Sequence, residues 1–278
     1  TETPYFLKSS ISKINKNYLK NFDVIVLLSG YVGDPITKKY PNISKLNNEN
    51  YIKSFLKKIS TKTKLIFIST CSNYGIINKD TVADEKFDLK PISNYSKSKV
   101  KIEKFILKNL PNLNYTILRF ATAYGLSPRM RFDLTINGFT HELFFKKKLI
   151  AYDIDTWRPY CHVKDFSLAI NLVIKKQTES YQQIYNVGSN HNNYSKEQII
   201  EKIQNKINFK TKVILKKNDI DRRNYIVSFD KIKKSIGFKS RYNLDYGINE
   251  LLLVFNKGYF NYDVMNYPFH NNQQLKIF

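Results

Sequence analysis

Apolar residues follow two rhythms along the chain. Residues 22–30 (FDVIVLLSG) and 64–70 (KLIFIST) are apolar runs of strand length, each ending at small polar residues. Such runs mark strands buried on both faces of a parallel sheet. Residues 114–125 (NYTILRFATAYG), 183–188 (QIYNVG) and 211–217 (TKVILKK) read as further strands. Between them the apolar positions recur near helical spacing. In 42–60 they are Leu46, Tyr51, Ile52, Phe55 and Leu56; in 93–110 they are Val100, Ile102, Phe105, Ile106 and Leu110, with Ser93 as N-cap. Helices are also predicted over 163–176, over 195–207, in SFDKIKKSI with Ser228 as cap, and in LDYGINELLLVFNKG. Strand–helix–strand alternation predicts right-handed βαβ crossovers, a parallel sheet and the α/β class. After Gly125 the pattern loosens into short strands and loops. The polar, aromatic tail NYDVMNYPFHNNQQLKIF is expected to be loosely held.

Composition narrows the picture. With 278 residues, 42% hydrophobic and 14% aromatic, the chain is long and apolar enough to build a real core. No apolar run reaches membrane-spanning length, and TETPYFLKSS lacks the order of a signal peptide. The two cysteines, Cys71 and Cys161, make neither a disulfide framework nor a zinc spacing, so no metal is expected and a reducing cytoplasm is the expected compartment. The net charge of +23 comes from lysines spread along the whole chain among many Asn and Ile. That is the imprint of an AT-rich codon usage. With no zinc-finger or RNA-binding signature, no nucleic-acid or membrane partner is expected.

The candidate chemistry lies at strand ends. Tyr95 precedes Lys99 by one helical turn, so both side chains share a face. A phenol titrates near pH 10, and a neighbouring ammonium favours the phenolate, giving a general base closer to neutrality. In a chain with 20 Tyr and 46 Lys+Arg that spacing also arises by chance, so its surroundings decide. In open parallel sheets, ligands bind beyond the carboxyl ends of the strands. Three such ends are visible: residues 29–34, 69–75 and 121–125. Thr70 places a hydroxyl at the second, and Tyr95 opens the following helix.

Six stretches then carry a resemblance: LLSGYVGDP, STCSNYG, YSKSK, LRFATAYGLSPRMRFDLTING, WRPYCHVKD followed by YNVG, and DRRNYIVSFDKIKKSIGF. In this order they resemble the extended short-chain dehydrogenase/reductase superfamily, in its NAD-dependent nucleotide-sugar epimerase/dehydratase family. The resemblance implies a Rossmann-like, doubly wound parallel sheet with a smaller α+β substrate-binding domain. Residues 1–125, with 160–190 returning, would form a partial NAD-binding domain; 126–159 and 191–262 the substrate domain; 263–278 a tail.

It also implies roles. Tyr95 would be the acid/base. Lys99 would lower its pKa and hold the nicotinamide ribose. Thr70 would bond the sugar hydroxyl or ketone. Leu28, Ser29 and Gly30 would form the strip along which the cofactor lies. Asn47 would be the helix asparagine near the active site, and Arg119 and Thr122 would lie beside nicotinamide and sugar, although many relatives have Asn in place of Thr122. Asn137, Arg158 and Arg223 would grip the nucleotide diphosphate. His162 is expected to be structural and Asp165 to cap the next helix. Cys71-Ser72 stand where 4,6-dehydratases carry Asp-Glu, which argues against dehydration, and Cys71 is expected to pack. The implied activity is that of an NAD-dependent epimerase or oxidoreductase on a nucleoside-diphosphate sugar, with hydride transfer at C4. NADP stays open, and a homodimer through the helix carrying Tyr95 is expected by analogy.

One hallmark is missing. The family's Gly-x-x-Gly-x-x-Gly turn, which holds the pyrophosphate at a helix N-terminus, is not found among the nine glycines. The first recognisable strand corresponds to the family's fourth, and roughly fifty residues of strands 1 to 3 have no counterpart. VIVLLS is therefore expected to be an unpaired sheet edge, and the chain to be a piece of a longer enzyme or an impaired one. Two alternatives stay open: a nucleotide-sugar-binding relative without turnover, and a basic Rossmann-like RNA-binding or scaffold protein.

Overall fold

The structure is a computed structural model that describes residues 7, 9–78, 80–217 and 223–261. In chain order the strands are β1 (Val24–Leu27), β2 (Lys64–Thr70), β3 (Val82–Ala83), β4 (Tyr115–Phe120), β5 (Thr122–Tyr124), β6 (Lys148–Tyr152), β7 (Trp157–His162), β8 (Gln183–Val187), β9 (Asn193–Ser195), β10 (Lys212–Lys216) and β11 (Ile226–Val227). The helices are α1 (Lys16–Leu19), α2 (Asp34–Lys39), α3 (Pro41–Lys45), α4 (Ile52–Leu56), α5 (Asn94–Asn109), α6 (Thr135–His141), α7 (Val163–Lys175), α8 (Lys196–Gln204), α9 (Asp230–Ile236) and α10 (Leu244–Asn256).

The central sheet is parallel, in the order β1-β2-β4-β8. Its inner strands are apolar at successive positions because both faces are covered. Leu65, Phe67, Tyr115 and Ile117 pack with Ile52, Phe55, Ile102 and Ile106 on one side. Ile66, Leu118, Tyr185 and Val187 pack with Ala169, Val173, Ile232 and Ile236 on the other. Helices α4 and α5 thus cover one face, and α7 and α9 the other, which is the doubly wound α/β arrangement. Among the described residues β1 is an edge strand, and Val24, Ile25 and Val26 are only half-buried. A second apolar core gathers Tyr124, Phe132, Ile136, Leu149, Ile199, Ile203, Leu251 and Phe255 from the later part of the chain.

Four local expectations change. The strand predicted over 114–125 is two strands: β4 ends at Phe120, the Ala121 amide donates to Val187 O at 3.0 Å, and β5 then pairs with β7 in another sheet. Period-2 patterning is blind to a change of sheet. The helix predicted over 42–60 is broken: α3 and α4 flank a wider π turn, Leu46–Tyr51, which turns Asn48 and Glu49 inward. Helix α9 has Phe229 rather than Ser228 at its cap, although Ser228 Oγ does accept from the Asp230 amide at 3.3 Å. Asp165 does not cap α7. His162 holds that position, its Nδ1 accepting from Lys164 N at 3.2 Å. Asp165 is buried and accepts from Ser240 Oγ and from the amides of Arg241 (2.9 Å) and Tyr242 (3.2 Å), tying the 240–242 segment to α7. A buried carboxylate needs several donors, and this loop supplies them. The expected tail, 263–278, lies outside the described residues.

Candidate active site

β2 delivers the first group. Thr70 ends the strand in extended backbone, and its Oγ1 accepts from the Ser72 amide at 3.1 Å, capping the tight turn Cys71–Tyr74; Ser72 Oγ lies 2.9 Å from the same oxygen. α5 delivers the next two. Ser93 caps it as expected, accepting from Ser96 N at 3.2 Å, so Tyr95 and Lys99 fall in its first two turns. Thr70, Tyr95, Lys99, Thr122 and Leu28 all line one cavity of about 710 Å³, whose walls also include Asp34, Arg131, Asp133, Tyr152, Arg158 and Arg223.

Other residues named from the sequence lie elsewhere. Ser29, Gly30, Asn137, Asn47 and Arg119 are not on the cavity wall. Asn137 is buried on α6, accepting from Gly125 N (3.0 Å) and donating to Arg131 O (3.1 Å), so its amide fixes the loop between β5 and α6. Asn47 donates to Ile43 O within its own helical run. Its neighbour Asn48 bonds both the amide (2.7 Å) and the carbonyl (2.9 Å) of Tyr31 in the loop after β1. Gly30 (φ +140°) backs onto that side chain: a Cβ there would lie 2.9 Å from Asn48 Oδ1.

The electrostatics differ from the simple pairing of Tyr95 and Lys99. Lys99 Nζ donates to Ile68 O at 2.7 Å and sits 4.8 Å from the Phe67 ring centroid and 5.9 Å from that of Tyr95. Burial lowers its pKa to about 8, against the opposing charge of Glu103. Burial pushes the Tyr95 phenol up to about 12; the Arg131 charge opposes this and the Asp34 charge adds to it. The cation that most favours the phenolate is therefore Arg131, from the loop after β5, and not Lys99.

Sequence reasoning missed Glu103. It stands one turn beyond Lys99, so Tyr95, Lys99 and Glu103 occupy one face at four-residue steps, which is a signal legible in the sequence. Its carboxylate is buried and accepts from Asn73 Nδ2 (2.8 Å), Ser69 Oγ and Arg119 Nη2 (2.7 Å). Arg119 also donates to the Tyr74 hydroxyl at 3.0 Å, which in turn donates to Asn186 Oδ1 at 2.8 Å. This buried polar network reaches the cavity wall through Ser69 and leaves Asn73 Oδ1 without a hydrogen-bond partner among the described residues. Cys71 Sγ donates to Arg119 O at 3.1 Å, burial pushes its thiol well up, and it does not reach the cavity, so it packs. His162 is buried against Glu250 (Nε2 to Oε2, 3.0 Å), a structural position as expected. Among the described residues no group of three His, Cys, Asp or Glu could hold a metal, and no helix is long and apolar enough to cross a membrane.

Parallel strands covered on both faces, with Thr, Tyr and Lys meeting at their carboxyl ends, define a Rossmann-like α/β enzyme fold. The chain belongs to the NAD dependent epimerase/dehydratase family, whose model matches residues 8–188. The UDP-glucuronic acid 4-epimerase of Bacillus cereus, solved with UDP-glucuronic acid and NAD, is 19% identical, with a TM-score of 0.80 over 91% of this chain and 82% of its own. The UDP-glucose 4-epimerase of Thermotoga maritima, solved with UDP-glucose, is 23% identical, with a TM-score of 0.77 over 91% and 84%. An uncharacterized protein of Schizosaccharomyces pombe is 26% identical over 87% of this chain and 76% of its own length.

Proposed function

We propose that the protein is an NAD-dependent epimerase or oxidoreductase of nucleoside-diphosphate sugars, transferring hydride at sugar C4 with Tyr95 as acid/base. One observation carries this reading: Thr70, Tyr95 and Lys99 open into a single cavity that also holds Arg158 and Arg223. Guanidinium forks pair with phosphate oxygens, and the opposite group would then be the sugar.

NAD supplies the hydride acceptor and donor. Leu28 and Lys99 fit its nicotinamide–ribose end, since both line the cavity and Lys99 is held by Ile68 O beside Tyr95. Thr70 Oγ1 accepts from the Ser72 amide, and when Ser72 Oγ, 2.9 Å away, is the donor in their hydroxyl pair the Thr70 hydrogen is available for a sugar oxygen. Tyr95, with its pKa near 12, stays protonated at neutral pH and gives its proton to a developing alkoxide because the alkoxide is the stronger base. In the opposite direction, Arg131 is the positive group that favours the phenolate.

Purified protein mixed with NAD and UDP-, GDP- or dTDP-sugars should produce NADH absorbance or an epimerised sugar with at least one of them. Binding of a nucleotide sugar with neither product would instead support a relative without turnover. Homodimerisation through α5 belongs to the same proposal.

A further inference from the structure

We infer that Lys196 is a substrate-binding residue, the cation that grips the substrate diphosphate together with Arg158. The inference rests on the nucleotide-sugar reading above and deepens it.

Three segments meet around Trp157. β9 pairs antiparallel with β7, Trp157 facing Ser195 and Arg158 facing Tyr194. Lys196 follows that strand directly and opens α8, yet its amide still donates to Thr156 O at 3.3 Å, so the ladder runs on to it. Arg158 and Lys196 therefore stand diagonally across the ladder, a spacing that long side chains bridge. The third segment carries Arg223: Trp157 N donates to Asn224 Oδ1 at 2.7 Å, and Tyr225 N donates to Trp157 O at 3.1 Å. All three basic side chains line the cavity. Lys196 is fixed there by β6, its Nζ donating to Tyr152 O at 2.8 Å. A carbonyl takes one of the three ammonium donors and none of the charge.

The other charges on the wall divide the work. Among the described residues its acidic side chains are Asp34, Asp133 and Glu142, and its remaining cations are Lys99 and Arg131. Asp34 Oδ2 pairs with Arg223 Nη2 at 2.6 Å, so Arg223 meets a phosphate only with a carboxylate at its side. Asp133 holds Arg131 in a bidentate pair, Nε to Oδ1 at 3.0 Å and Nη2 to Oδ2 at 2.6 Å. Glu142 lies 3.7 Å from Lys146. Lys99 is held at Ile68 O, at the Tyr95 end. A diphosphate ester carries a charge on each phosphate. With Arg223 shared with Asp34, the second phosphate needs a further cation, and Lys196 stands beside Arg158 to supply it. A guanidinium meets phosphate as a planar fork and an ammonium as a point charge, so the two divide the ester oxygens between them.

The test is calorimetric titration of the wild type, Lys196→Gln and Lys196→Arg with UMP and UDP, dTMP and dTDP, GMP and GDP, and with NAD. Glutamine keeps a donor for the Tyr152 carbonyl, and arginine keeps the charge. In the series that the wild type binds, Lys196→Gln should weaken the diphosphate by about tenfold and the monophosphate by less, while Lys196→Arg should hold the wild-type ratio. NAD affinity should not change. Equal weakening of monophosphate and diphosphate, which loss of the clip to β6 alone would give, or unaltered diphosphate binding in Lys196→Gln, overturns this inference while leaving the nucleotide-sugar reading intact. Weakened NAD binding in place of weakened nucleotide binding assigns Lys196 to the cofactor's diphosphate and also overturns it. Failure of the wild type to bind any of the six nucleotides overturns both.

Discussion

The ammonium of Lys99 lies 2.7 Å from the main-chain carbonyl of Ile68, so it anchors α5 to the end of β2 instead of touching the phenol one turn away. The helix face that carries Tyr95 is thereby registered against the strand that carries Thr70. The same burial that fixes this geometry moves the two titrations in opposite directions, Lys99 down to about 8 and Tyr95 up to about 12. Desolvation disfavours whichever form is charged.

Tyr95→Phe removes the transferable proton and leaves the aromatic wall. Turnover should fall by about 10²–10⁴-fold, with nucleotide-sugar affinity nearly unchanged. Steady-state NADH formation beside calorimetric binding reads the two effects separately. Wild-type turnover in this variant would reject Tyr95 as acid/base.

Lys99 gives two pH effects. As pH rises through about 8 the ammonium is lost, so NAD affinity should weaken over that range. Stability moves the other way. The folded value of about 8 lies below the ordinary lysine value of 10.5, so between them the unfolded chain binds more protons, and stability should rise with pH. Lys99→Met should flatten both profiles, measured by NAD titration and by urea midpoints across that range.

Glu103→Gln leaves the Arg119 guanidinium buried without its counter-charge. Breaking such a pair costs about 3–5 kcal/mol. The double variant Glu103→Gln/Arg119→Met should lose less than the sum of the single variants, because the two residues bond directly (2.7 Å). Urea unfolding followed by circular dichroism gives all three values, and strict additivity would remove the pair from the argument.

On α5 the outward positions Lys97, Lys101, Lys104 and Lys108 are all exposed, and only Lys101 has a partner, Glu49 at 3.0 Å, among the ion pairs seen in the described residues. A dimer formed across this helix brings like charges together. Its dissociation constant should therefore fall as salt rises from about 0.05 to 0.5 M, where screening shortens from more than 10 Å to a few ångströms. Light scattering across a salt series checks this, and a salt-independent monomer–dimer equilibrium would place the interface elsewhere.

Most of the fold was legible in the pattern. The runs around Ile25, Ile66 and Ile117 announce strands covered on both faces, because only such strands are apolar at every step. Ser93 marks the start of α5, and the four-residue step from Tyr95 to Lys99 follows from helical geometry. These are local properties, set by side-chain period and backbone capping, so the sequence by itself determined them. The tertiary structure alone decided the rest. It turned Asn48 inward onto the Tyr31 backbone and kept Asn47 bonded within its own helical run, through a π turn one residue wider than an α turn. It turned Asn137 into a loop clamp, made Asp165 a latch on residues 240–242, and brought Arg131, from the loop after β5, and Asp34, from the start of α2, to Tyr95. Which polar side chain faces a cavity and which satisfies a buried amide depends on what the folded chain packs beside it, and charge–charge effects act through space without regard to sequence separation.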